Sequence, residues 1–149
     1  MLIGVISDTH GLMRPEAAQA LAGSELIIHA GDVGDPGVLE ELRKIAPVVA
    51  VRGNIDTRDW LPEYQTVKRD GASIYVLHDL NKLNFDPVAA GIRAVISGHS
   101  HKPVIRTKDG VMYLNPGSAG PRRFKLPVTV AKLHVGKNGL QAEHIHLIA

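Results

Sequence analysis

Seven side chains in this 149-residue sequence have the types and spacing to hold divalent metal ions: Asp8, His10, Asp32, Asn54, His78, His99 and His101. Imidazole, carboxylate and amide donors suit borderline and harder ions. Seven are too many for one tetrahedral zinc and fit two ions. Asp8 and His10 stand at i and i+2, so in an extended segment they point the same way and one ion can hold both. His99 and His101 repeat that spacing and can clamp one ion or straddle two. Charge then points to a substrate. Two divalent ions, less two carboxylates and a bridging hydroxide, leave a residual positive site. Such a site attracts an anion, and a phosphate ester fits better than a peptide or a sugar. Two metals about 3.5–4 Å apart form a clamp for in-line displacement at phosphorus.

These residues need a scaffold that brings distant segments together. Short runs rich in Val and Ile precede them: Leu2 to Ser7, Leu26 to His29, Val48 to Arg52, Ile74 to Leu77 and Ala94 to Ser97. Nearly unbroken apolar runs of this length read as strands buried on both faces. Each delivers a metal-competent side chain at its carboxyl end, where open α/β sheets gather their ligands. Gly31, Gly53 and Gly98 adjoin Asp32, Asn54 and His99 and permit a sharp exit from the strand. Pro15 and Pro36 open two helices, the second with Val38, Leu39, Leu42 and Ile45 on one face. Strand and helix alternate there, which implies a parallel sheet. Farther on, Asp70-Gly71, Asp109-Gly110 and Lys137-Asn138-Gly139 signal three hairpins. A further helix is expected between Pro87 and Gly91, with Asp86 as its cap.

Composition narrows the function. With 44% hydrophobic and 21% charged residues the chain is an ordinary globular domain rather than a disordered one. The lack of cysteine excludes disulfides, thiolate zinc sites, Fe–S clusters and thiol catalysis. Aromatics at 4% are too sparse for the usual base-stacking platform, and a net charge of +2 gives no basic groove, so a nucleic-acid polymer is not the expected partner. The residues before Asp8 do not read as a signal peptide and no later run reads as a membrane span, so the cytoplasm is the expected compartment.

Asp8-Thr9-His10, Gly31-Asp32, Gly53-Asn54-Ile55-Asp56, His78 and Gly98-His99-Ser100-His101 together resemble the calcineurin-like metallophosphoesterases. The short chain and Asn115-Pro116-Gly117-Ser118 are similar to the small YfcE-like phosphodiesterase branch, and the likeness runs from Leu2 to about Pro121. The resemblance implies an α/β fold, a four-layer α/β/β/α sandwich of two mixed sheets with flanking helices, in one domain over residues 1–149. It implies two divalent ions per chain. Asp8, His10, Asp32 and His101 would hold the first, and Asp32, Asn54, His78 and His99 the second, with Asp32 bridging. Spacing alone does not divide the ligands in this way. The implied enzyme is a phosphodiesterase acting on a small phosphodiester through a metal-bridging hydroxide. His99, Asp32 and Asn54 would belong to its catalytic machinery, and His99 would also hydrogen-bond the substrate. Mn²⁺ is the preferred metal; Fe, Ni, Co or Zn could serve.

The chain departs from the family pattern in two places. Many larger relatives place a histidine after the asparagine to protonate the leaving group, and here that position is Ile55. A positioned acid contributes roughly 10²–10⁴-fold, so its loss tells most against poor leaving groups. Asp79 follows His78 where relatives usually have glycine; it either strains a left-handed backbone or tunes the second metal.

Other residues carry two readings. Arg122 and Arg123, with Lys125, are either a phosphate clamp or a solvated loop. His29 reads as a core histidine or as one that orients a ligand. His134, His144 and His146 read as exposed strand histidines before an adventitious metal site. Asn115-Pro116-Gly117-Ser118 is a tight turn or a support for the ligands. Trp60 reads as a packed loop residue. The alternative to an enzyme is a protein-interaction scaffold that keeps the fold without catalysis, against which the complete ligand set speaks. A homo-oligomer is compatible with either.

Overall fold

A computed structural model describes residues 1–57 and 59–148. The first part of the chain alternates strand and helix: β1 (Leu2–Ile6), α1 (Pro15–Leu21), β2 (Leu26–His29), α2 (Pro36–Arg43) and β3 (Val48–Ala50). Strands dominate the remainder: β4 (Tyr64–Arg69), β5 (Ala72–Leu77), a 3-10 turn (Leu80–Lys82), β6 (Ile92–Ile96), β7 (Val104–Lys108), β8 (Val111–Asn115), β9 (Thr129–Gly136) and β10 (Gly139–His146). Both helices start at proline, whose missing N–H is no loss in a first turn. Asp35 caps α2 by accepting from the Gly37 N–H.

The strands form two five-stranded mixed sheets, β10-β9-β1-β2-β3 and β4-β5-β6-β8-β7. In the first, β1, β2 and β3 run parallel and β9 returns antiparallel beside β1. In the second, β5, β6 and β8 run parallel, flanked by antiparallel β4 and β7. The three expected hairpins are present. At two of them Asp70-Gly71 and Asp109-Gly110 sit at positive φ on both central residues, the backbone that a two-residue hairpin loop of this twist requires.

The sheets pack face to face over Ile3, Val5, Leu26, Ile28, Ile74, Val76 and their neighbours. On the outside of the first sheet, Leu21, Leu39 and Leu42 of the helices bury Ile6 and Ile27. The outside of the second sheet carries Tyr75, Leu77, Ile92, Val95 and Val111, covered, among the described residues, by Leu80, Leu83 and Phe85 from the 3-10 turn and the loop after it. The expected helix at 87–91 is absent: these residues form a turn. Asp86 does cap it, accepting from the Val88 N–H at 3.0 Å. Only a few residues separate that cap from β6, too few to repay helix nucleation, and Gly91 turns the chain at φ +75°. This outer layer is therefore thin. Among the described residues no helix is long and apolar enough to cross a membrane.

Candidate metal centre

The loops leaving β1 and β2 are stitched side by side. The Asp8 N–H donates to the Gly31 carbonyl at 3.0 Å, His10 to Asp32 at 3.0 Å and Gly11 to Val33 at 2.8 Å. These loops use left-handed backbone at non-glycine residues: φ is 54° at Asp8, 48° at His10 and 55° at Asp32. The loop after β6 does the same, with 71° at His99 and 63° at His101. That conformation costs roughly 1–2 kcal/mol per residue, and such outliers concentrate at functional sites. Glycines make the crowding possible. A Cβ at Gly98 would run into Ser7 Oγ and lie 2.7 Å from Asp8 Oδ2, and one at Gly53 would overlap the Asp32 backbone nitrogen and carboxylate.

Five of the seven expected residues converge through their side chains. Asp8, His10 and His101 place ligand atoms within 4.8 Å of one another, and so do Asp8, Asp32 and His78. Asp8 Oδ1 lies 3.4 Å from His101 Nε2 and 3.8 Å from His78 Nε2. Asp32 Oδ2 lies 3.4 Å from His78 Nε2 and 3.6 Å from His10 Nε2. The expected division puts Asp32 between the two groups, and here it faces both His10 and His78. Asp8 is common to both triplets as well. His99 stands at the exposed rim, its N–H donating to Asp8 Oδ2 at 3.1 Å and its ring edge-on to His78 at 5.2 Å. Asn54 is also exposed, beside Gly53 and His78 on the wall of a cleft of about 460 Å³.

The hydrogen bonds say which atoms are free to coordinate. His78 Nδ1 lies 2.8 Å from the Ala30 carbonyl, which can only accept, so Nδ1 carries the hydrogen and neutral His78 presents the Nε2 lone pair. Asp8 Oδ2 accepts from Ser7 Oγ and the His99 N–H, whereas Oδ1 is buried without a partner. His10 Nε2, His78 Nε2 and His101 Nδ1 are likewise buried and unpartnered. Unpartnered polar atoms are rare in protein interiors, and the first three lie together around Asp8 and Asp32, with His101 Nε2 beside them.

Electrostatics agrees. Burial pushes the Asp8 carboxyl up despite the pull of His78 and the Ser7 hydroxyl. Burial acts on Asp32 too, but the neighbouring His78 ring, 3.4 Å away, and the Ile55 N–H outweigh it and hold that carboxyl well below the usual range. His78 is pushed up, burial being overcome by Asp32 and Asp8. Divalent cations fit this donor set. Ligand bonds of about 2.0–2.2 Å put two ligands of one ion roughly 3.0–3.6 Å apart, close to the separations above.

A family model for the calcineurin-like phosphoesterase superfamily domain matches residues 1–138. The chain belongs to that superfamily. It is 37% identical to a probable metallophosphoesterase of Methanothermobacter thermautotrophicus, over 97% of this chain and 92% of that protein. Among solved structures, an archaeal phosphodiesterase superposes with a TM-score of 0.81 at 23% identity, covering 97% of this chain and all of that one. Vps29 from Entamoeba histolytica in complex with Zn²⁺ superposes with a TM-score of 0.76 at 20% identity, covering 99% of this chain and all of that one.

In this phosphoesterase the two departures have plain structures. Ile55 is half exposed and serves through its backbone, donating to Asp32 Oδ1 at 3.1 Å; no proton donor stands there. Asp79 has φ −110° and caps the 3-10 turn by accepting from the Asn81 N–H, so the position asks for no left-handed backbone. The basic cluster divides. Arg122 Nε donates to the Leu126 carbonyl within its own loop. Arg123 reaches the site electrostatically: burial lowers His101, and the Arg123 charge lowers it further.

The supporting residues are partly unforeseen. Asp56 accepts from the N–H groups of Val33, Gly34 and Gly53, clamping the third loop to the second. Asn115 donates to the Gly98 carbonyl and Ser100 Oγ and accepts from the Gly117 N–H, so the Asn-Pro-Gly-Ser turn does support the 98–101 loop. His144 in turn binds the Asn115 carbonyl at 2.7 Å, while His134 and His146 are exposed. His29 is buried between Thr9 and Gly31. The Gly31 N–H donates to Nδ1, so Nε2 carries the hydrogen and donates to Thr9 Oγ1 at 3.0 Å. Trp60 packs against the helix-side core. For Asp56 the only signal was its place two residues beyond Asn54; His144 had none beyond its type.

Proposed function

We propose that this phosphoesterase is a phosphodiesterase that works through two divalent metal ions. The observation that carries the reading is the group of buried, unpartnered donor atoms, Asp8 Oδ1, His10 Nε2 and His78 Nε2, gathered with His101 Nε2 around two carboxylates. Asp8, His10, Asp32 and His101 would hold one ion, and Asp32, Asn54, His78 and His99 the other. Bound there, such ions polarise phosphoryl oxygens and bring the pKa of a coordinated water close to neutrality. The chain's own residues do the rest. Ser7 and the His99 N–H fix one oxygen of Asp8, so the other faces the histidines. The Ala30 carbonyl fixes the His78 tautomer, and the Ile55 N–H turns Asp32. His99, on the open rim, hydrogen-bonds a phosphoryl oxygen of the substrate, and Arg123 adds positive charge beside it. Because Ile55 has no proton to give, diesters with good leaving groups are favoured over monoesters with poor ones. The archaeal neighbour named a phosphodiesterase supports the same substrate class. Mn²⁺ is the preferred ion, the cytoplasm the compartment, and residues 1–149 one working domain.

The other reading is a protein-interaction scaffold that keeps this fold without catalysis. Hydrolysis of an activated phosphodiester and its monoester by metal-stripped protein, with Mn²⁺ restored in steps, separates the two. Diester turnover that saturates near two ions per chain is the expected outcome. Failure to bind Mn²⁺, or two bound ions without turnover of any activated ester, would favour the scaffold.

A further inference from the structure

The cleft that ends at His78 and Asn54 runs outward over the face of the second sheet that has almost no covering layer. Its far wall is aromatic. Tyr64 on β4 lies across from Leu77 on β5, one pair short of His78, and stacks on Tyr75 with ring centroids 5.8 Å apart and planes 26° apart. Tyr75 is buried and pinned edge-on by Phe85 at 4.9 Å, whereas Tyr64 is 59% exposed. The outer ring thus rests on a fixed inner one and turns its surface to the cleft. A strand rises about 3.3 Å per residue, so the aromatic pair begins within roughly 10 Å of His78 along β5. That is the scale of the step from a phosphate to its base in a nucleotide.

The polar lining fits the same ligand. The acids along the cleft are already engaged: Asp56 with three backbone N–H groups, Glu63 with Arg52 at 3.4 Å, and Asp79 with the Asn81 N–H. Lys82 and Asn84 also line it, and Lys82 pairs with no acid among the described residues. A volume of about 460 Å³ accommodates one nucleoside, not a strand of several. One tyrosine pair is likewise too little for a polymer and enough for a single base.

We infer that this cleft is a nucleoside subsite: the phosphodiester arm that remains beside the metal centre is a nucleoside, its base stacked on Tyr64 and its phosphate at the His78 and Asn54 end. The inference rests on the phosphodiesterase reading and specifies the substrate class of that site.

Calorimetric titration of Mn²⁺-loaded protein with adenosine 5′-monophosphate and with ribose 5-phosphate tests it. The two share the phosphate and the sugar and differ in the base. Stacking on one aromatic ring makes the nucleotide bind roughly tenfold tighter or more. Tyr64→Ala should abolish that preference while leaving ribose 5-phosphate binding, and hence the fold, as it was; Tyr64→Phe should keep it. Equal affinities in the wild type, or a preference that survives Tyr64→Ala, would overturn the nucleoside subsite and leave the phosphoryl site standing. Binding of neither ligand would overturn both.

Discussion

Asp8 and Asp32 leave the first sheet through backbone with no room to move, whereas His99 leaves the second sheet onto a rim open to solvent. On the first side, helices cover the sheet, adjacent loops share hydrogen bonds, and the glycine at 53 lets backbone press against the Asp32 carboxylate. On the second side the outer face is nearly bare, and the imidazole-bearing loop hangs from Asn115. The difference suggests a division of labour. Negative charge that must stay ionised in a buried place is fixed by the rigid half, because a carboxylate that could swing away would escape its cost. Access for a substrate, and the shape of its non-reacting arm, are left to the open half.

The largest effect should come from the rigid half. Asp8→Asn is expected to lower diester turnover on the order of 10³-fold or more, since an ion worth several kcal/mol of transition-state stabilisation loses a buried carboxylate ligand. In metal-free protein the same change removes a buried carboxylate with an unpartnered oxygen, so thermal stability should hold or rise. Added Mn²⁺ should raise the Tm of wild type and leave the variant's nearly unmoved. A variant that melts earlier than wild type without metal would mean that Asp8 is a structural anchor, and the comparison would fail. Asn115→Ala probes the other half. Its side chain touches no ligand directly but holds Gly98 and Ser100, so Mn²⁺ affinity should fall about 10–100-fold, with turnover recovered at high Mn²⁺. Loss that excess Mn²⁺ does not repair would show the open half to be as rigidly committed as the first.

The sequence exposed the rigid half better than the open one, for a physical reason. Apolar runs ending in Asp or His mark strand ends, and Asp-Gly pairs mark hairpins, because both depend on local backbone preferences. The convergence of Asp8, His10, Asp32, His78 and His101 follows once the parallel strands are placed. The sharing of Asp8 by both triplets does not, since it depends on sub-ångström differences in loop path. Nor does the left-handed backbone at these residues, which their types do not advertise. The turn at 87–91 was misread as a helix because its proline and cap are true helix signals, and only the distance to β6 defeats them. Asp56 and His144 are generic residues that reach partners 22 or more positions away, Val33 and Gly34 for the one and Asn115 for the other. The Tyr64 cleft depends on an outer layer that is hardly there, and a thin layer leaves no motif.

The smallest effect tests how tightly the rigid half is closed. His29 is fully buried in a neutral tautomer, and burial pushes its pKa down to about 3 from an ordinary value near 6.5. The unfolded chain therefore takes up a proton that the folded protein refuses. The stability present above pH 6.5 falls as the pH drops from there toward 3. Between pH 7 and pH 5 this one residue should remove about 2 kcal/mol of unfolding free energy. Urea unfolding of metal-free wild type and His29→Gln at those two values measures it, because the variant lacks the titration whatever else it loses. The wild type should lose about 2 kcal/mol more than the variant over that interval. Equal losses would mean that the imidazole is protonated within the fold. Thr9 Oγ1 and the Gly31 N–H could not then both keep their present bonds to it, and the stitching of the β1 and β2 loops would be looser than their geometry requires.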